Sequence, residues 1–113
     1  MTTSAIIKII DSLKDRGKLK GVDVANVANV SRATVSRWTS GTAFPHPKTQ
    51  VLLANLAYVV DGLSEFYAPD ETRFWLYARN DLLDGQTAME MINKGETEEV
   101  LQAIEDLAGL NFI

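Results

Sequence analysis

The chain has 113 residues, 46% of them apolar, enough for one compact domain or two small modules sharing a core, and too many for a disordered polymer. Its net charge of -4 hides an uneven distribution: up to Lys48 there are 8 Lys/Arg against 3 Asp/Glu, and from Thr49 onward 3 against 12. The halves carry +5 and -9, so nucleic acid suits the first and a basic protein surface the second. Without cysteine there is no disulfide, thiolate nucleophile or cysteine zinc site, and the lone His46 stands between two prolines, so neither a metal nor a cofactor is expected. The opening MTTSAIIKIIDSL lacks a basic leader, and the most apolar segment, Val51 to Val60, is interrupted by Asn55 and followed by Asp61. These features predict a cytoplasmic, non-membrane protein.

Ile6, Ile9, Ile10 and Leu13 lie on one face of a first helix, with basic Lys14 to Arg16 and then Gly17 as its stop. Val24, Val27 and Ala28 mark a short second helix, and Val35 with Trp38 gives a third its inward edge. Both are expected to pack on the first. The Pro-marked loop TAFPHPKT leads to a helix over about Thr49 to Phe66, whose apolar residues cover most of its circumference and predict a central, largely buried element.

Beyond it, TRFWLYARN reads as a short helix or a strand. Pro69, Asp70 and Glu71 favour the helix, with acids at the positive end of its dipole. Thr87 and Glu90 form a capping box for the next helix, which Lys94-Gly95 ends. A last helix runs from about Thr97 to Ala108, with Gly109 as its stop. No β-alternation or internal repeat interrupts this series, so the fold class is all-α: a helix-turn-helix unit over 1–47 and a helical dimerisation and partner-binding unit over 48–113.

NVANVSRATVSRWTSG, Asn26 to Gly41, carries the chemistry. A helix-turn-helix lays its second helix in the DNA major groove, and its turn needs a residue that tolerates positive φ; Asn29 stands there. Small Ala25 lets the helices approach, and Ser31 caps the second helix. At 100° per residue, inward Val35 and Trp38 leave Ala33, Ser36, Arg37 and Ser40 outward, with Arg32 on the flank. The DNA-binding set is therefore Ser31, Arg32, Ala33, Thr34, Ser36, Arg37 and Ser40. Arg32 or Arg37 forks onto guanine O6/N7, or else holds phosphate, while Ala33 meets a thymine methyl; the residues leave open which arginine reads a base.

VSRATVSRWTSG followed by Pro45 resembles the Xre-type helix-turn-helix. Downstream, Trp75-Leu76, Asn80, Leu83-Asp84-Gly85, Gly95, Val100 and Leu107 stand at the spacing of the toxin-binding domain of MbcA/ParS/Xre antitoxins. The two together cover nearly the whole chain, which looks nearest to the mycobacterial-type members. Ala88 departs from the proline usual after the threonine, a change in the first helical turn that removes pre-set φ but no hydrogen bond.

What the resemblance implies is a type II antitoxin that represses its operon through operator DNA and neutralises a RES-domain toxin that consumes NAD. Its toxin-binding residues would be Trp75 and Asn80 together with the tail Gly109, Leu110, Asn111, Phe112 and Ile113. Two readings of the apolar tail stand side by side: it folds back on its own helices, or it enters the toxin's cleft. No nucleophile–base–orienter set exists, so neither an enzyme nor a small-molecule substrate is expected. A homodimer is expected, because two-fold symmetry places two recognition helices on half-sites one helical turn apart, with the central helix and Phe74 to Tyr77 as its surface. The other readings are a stand-alone dimeric repressor and a protein-binding inhibitor in which the helix-turn-helix is only a scaffold.

Overall fold

The computed structural model describes residues 2–111, Leu110 and Asn111 by backbone alone, so the expectations for Phe112 and Ile113 lie outside the described residues. The elements in chain order are α1 (Thr3–Gly17), α2 (Gly21–Ala28), α3 (Arg32–Ser40), α4 (Pro47–Ser64), α5 (Pro69–Tyr77), β1 (Arg79–Asn80), a 3-10 turn (Asp81–Leu83), β2 (Gln86–Thr87), α6 (Ala88–Asn93) and α7 (Thr97–Asn111). The fold is all-α apart from a two-residue antiparallel ladder that pairs Arg79 with Thr87 and Asn80 with Gln86. Among the described residues no helix is long and apolar enough to cross a membrane.

Thr2 starts α1 by accepting the Ala5 N–H at 3.0 Å, and Ile6, Ile10 and Leu13 bury its inner face. The expected stop at Gly17 is corrected by one residue. Lys18 takes the left-handed conformation, φ 51°, and Leu19 returns its amide to the Leu13 carbonyl at 3.1 Å. Gly17 is instead a point of close approach: a Cβ there would stand 3.4 Å from both methyls of Val60.

Pro47 opens α4 at its first position, where a missing N–H costs nothing, so the helix begins and ends two residues earlier than the apolar run predicts. Leu53, Leu56, Val59, Val60 and Leu63 are buried, but Val51 is 59% and Tyr58 66% exposed. The expectation of a largely buried helix thus holds for one face only. Pro69 begins α5, and the Glu71 carboxylate accepts the Ala68 N–H at 2.9 Å, as the PDE start predicts. Thr87 accepts the Glu90 N–H at 3.0 Å to begin α6, and Gly95, φ 82°, carries the chain out of it.

The last helix does not stop at Gly109 but continues through Asn111. Gly109 keeps ordinary helical backbone, and nothing lies within 4 Å of where its Cβ would stand. A glycine ends a helix by adopting positive φ, and this one has no left-handed turn to supply.

One apolar cluster collects residues from all seven helices, so the boundary at 47/48 falls at the start of α4 with no break in the core. α1 packs along α4, and α7 reaches α4 at Gly62, where a Cβ would lie 3.7 Å from Ile104 Cγ2.

Candidate nucleic-acid and protein interfaces

Two short helices joined at Asn29 form the first site. Asn29 holds φ 57°, and the Val30 amide returns to the Ala25 carbonyl at 3.0 Å. Buried Ala25 sits in the packed face beneath, and Ser31 Oγ accepts the Thr34 N–H at 3.1 Å. Val24, Val27, Val35 and Trp38 seal α2 and α3 against the core. Turn, cap and inward pair stand as the sequence predicts.

Arg32, Ala33, Ser36, Arg37 and Ser40 are all exposed on the outer side of α3, while Thr34 is half-buried. Some of the polar set is engaged within the helix. Ser31 and Thr34 hydroxyls lie 2.9 Å apart, Arg37 Nη2 donates to Thr34 Oγ1 at 3.1 Å, and Ser40 Oγ donates to the Arg37 carbonyl at 3.2 Å. Among the described residues Arg32 makes no hydrogen bond or ion pair, and Arg37 keeps donors to spare. Arg32 borders a groove of about 920 Å³ between α1, the start of α2 and α3, along which Lys14 and Lys20 add two cations. With Asp11 as the one carboxylate lining it, the groove keeps a net positive charge that can hold an anion such as phosphate.

A charged cluster absent from the sequence reading joins this site to the second half. Asp23, in the first turn of α2, is buried, and its Oδ2 accepts the Lys20 N–H at 2.7 Å. From α5, 50 residues away, Arg73 donates through Nη1 to Oδ2 at 2.8 Å and through Nη2 to Oδ1 at 3.2 Å. Tyr77 donates its hydroxyl to Oδ1, and the guanidinium lies 4.9 Å from that ring's centroid. Arg73 Nη1 also meets the Lys18 carbonyl at 3.0 Å.

Burial works to raise the Asp23 carboxyl, but the bonds from Arg73, Tyr77 and the Lys20 amide prevail and hold it below the usual carboxylate range. The Asp23 hydrogen bond raises Arg73, while burial and then Asp23 push the Tyr77 phenol up.

The outer side of α5 forms a second candidate surface. Phe74 is 76% exposed, with Tyr77 beside it, and shallow recesses flank the ring. Asp70, Arg73, Tyr77 and Ala78 line one recess; Tyr67, Glu71 and Trp75 line the other. Trp75 is half-buried against the core. Asn80 Oδ1 accepts the Leu82 N–H at 2.9 Å and so caps the 3-10 turn. Gly109, Leu110 and Asn111 form the last helical turn of α7, carried by a different element from Trp75 and Asn80.

No protein-family model matches the chain. The mycobacterial cidal antitoxin MbcA of Mycobacterium bovis and of Mycobacterium tuberculosis is 28% identical over 113 residues, the whole length of both chains. A probable mycobacterial cidal antitoxin of Mycobacterium tuberculosis is 38% identical over 98 residues, 87% of this chain and 83% of that one. In the crystal structure of the M. tuberculosis MbcT–MbcA toxin–antitoxin complex, a chain 28% identical superposes with a TM-score of 0.81, covering 95% of this chain and 96% of its own. Full-length sequence agreement and a shared helical frame together assign the chain to the family of the mycobacterial cidal antitoxins.

Proposed function

We propose that the chain is the antitoxin of a toxin–antitoxin pair, acting without catalysis: it neutralises a RES-domain, NAD-degrading toxin by direct binding and represses its own operon through α2 and α3. The observation that carries the toxin arm is the 0.81 superposition, over 95% of the chain, on a structure solved as a toxin–antitoxin complex. The RES identity of the toxin rests on the motif resemblance from Trp75 to Leu107. In this reading Trp75, Asn80 and the tail from Gly109 meet the toxin, and the -9 half supplies charge for a basic surface.

The DNA arm is supported by the left-handed Asn29, the Ser31 cap and the outward Arg32 and Arg37. A second copy pairs along the outer face of α5. Exposed Phe74 and Tyr77 supply its apolar contact across a two-fold axis.

The test is co-expression with the product of the adjacent reading frame. The reading expects co-purification and restored growth, with loss of neutralisation in a chain truncated after Gly109 that still folds. Failure to co-purify, with operator binding intact, favours the stand-alone dimeric repressor. A truncated chain that neutralises as well as the intact one removes the tail from the inhibitory surface.

A further inference from the structure

α5 does two kinds of work. Phe74 centres the surface assigned above to a second copy, and Arg73 and Tyr77 beside it reach from the edge of that surface to grip the helix pair assigned to DNA. Three bonds from Arg73 and one from Tyr77 converge on Asp23 and the Lys18 carbonyl, at the bend between α1 and α2. At the other end of α2, Asn93 Nδ2 of α6 donates to the Val27 carbonyl at 2.8 Å. Thus α2 is pinned at both ends by the second half of the chain. α3 follows it after a turn of only Asn29, Val30 and Ser31.

These contacts are directional. A hydrogen bond weakens steeply off its axis, whereas the hydrophobic attraction has no direction of its own. The angle between α3 and the outer face of α5 is therefore held by a buried carboxylate, a forked guanidinium and an amide in addition to the shared apolar core.

We infer that Asp23, Arg73 and Asn93 are positioning residues that fix the separation and phase of the two recognition helices in the dimer, and with them the half-site spacing the operator must have. The inference rests on the reading of α3 as the recognition helix and α5 as the dimer surface. B-DNA turns once in about 10–10.5 base pairs, so one inserted pair rotates the second half-site by roughly 35°. A rigid dimer cannot follow; a loosened one can.

The experiment uses the full-length chain and the operator footprinted in its own upstream DNA, with one to five base pairs inserted or deleted between the half-sites. Two variants are compared with wild type. Asn93→Ala lies away from both surfaces, removes a single bond and leaves the core intact. Asp23→Asn removes the charge that Arg73 grips and, because Arg73 and Tyr77 also border the α5 surface, is first shown by sedimentation to dimerise as wild type does. Circular dichroism verifies that both fold. Wild type is expected to lose about tenfold or more in affinity for one inserted pair, the scale on which such distortions are felt. Asp23→Asn is expected to reduce that loss to about twofold and Asn93→Ala to an intermediate value, while affinity for an isolated half-site stays the same. A general loss of stability would lower both affinities together without changing their ratio. If both variants keep the wild-type spacing profile, the inference is overturned. If wild type forms no dimeric complex on DNA at any spacing, the underlying reading falls and takes the inference with it.

Discussion

Arg73→Ala is expected to destabilise the fold by about 2–3 kcal/mol, and Asp23→Ala by about 1–2 kcal/mol, although the two side chains share one ion pair. The asymmetry follows from where each group is left. Asp23 has a side chain 5% exposed, so without Arg73 its carboxylate is left largely buried with only the Tyr77 hydroxyl and the Lys20 amide as protein partners. Breaking a buried pair on one side typically costs about 3–5 kcal/mol. The Arg73 side chain is 38% exposed, so solvent already screens the pair and the figure is lowered accordingly. In the converse variant Arg73 turns partly to water and keeps the Lys18 carbonyl, and the main losses are the shared bonds and the bracing of the first turn of α2. The double variant is expected to cost no more than Arg73→Ala alone, because neither charge is then stranded. Urea unfolding of all four proteins gives the double-mutant cycle, with an expected coupling of about 1–2 kcal/mol. At roughly 4–8 °C per kcal/mol for a chain of this size, Arg73→Ala lowers Tm by about 10–20 °C. Costs that add to within about 0.5 kcal/mol, or an Asp23→Ala variant less stable than Arg73→Ala, would refute the reasoning.

Three further outcomes are expected. Because the folded-state pKa of Asp23 is lowered, its stabilisation is complete above the unfolded value of about 3.9 and disappears as pH falls through the folded value; Tm measured from pH 7 down to pH 2 should show an acid decline that is shallower in Asp23→Asn. At Asn29, φ 57°, valine is expected to cost about 1–3 kcal/mol through left-handed strain and glycine to stay within about 0.5 kcal/mol of wild type; equal melting temperatures for the two variants would show that the turn does not depend on that conformation. In gel shifts over a salt series, whichever of Arg32→Ala and Arg37→Ala removes a base reader should relax specificity at one position by about 1–3 kcal/mol, whereas loss of a phosphate contact should reduce the salt slope by about 0.9; unchanged binding by the double variant would remove α3 as the DNA surface.

What the sequence made legible was whatever a local pattern enforces. Helix starts at Thr87 and Pro69, the inward pair Val35 and Trp38, and the left-handed Asn29 each depend on neighbours within a few residues, and each stands where the spacing puts it. Glycines misled in both directions. Gly17 is kept for the approach of Val60, which belongs to another helix, and Lys18 takes the strained turn in its place. Gly109 lies inside a helix that continues past it. The hairpin of β1 and β2 had a signal: Asp84 and Gly85, φ 55° and 78°, form the dipeptide that turns a chain tightly. Two residues on each side are too few to show alternation. Nothing local announces the Asp23–Arg73–Tyr77 cluster, because its partners lie 50 and 54 residues apart and each resembles an ordinary surface residue of its own helix.

The packing of α1 along α4, with Gly17 against Val60, has a consequence for turnover. The two halves share one core, so although the connection from Gly41 to His46 is mostly exposed, a cut there leaves them held together by that core. Unfolding of either half opens the common core and so exposes the other. On the proposed reading, operon repression and toxin restraint then have a single lifetime, and release of the toxin coincides with renewed transcription of its antidote.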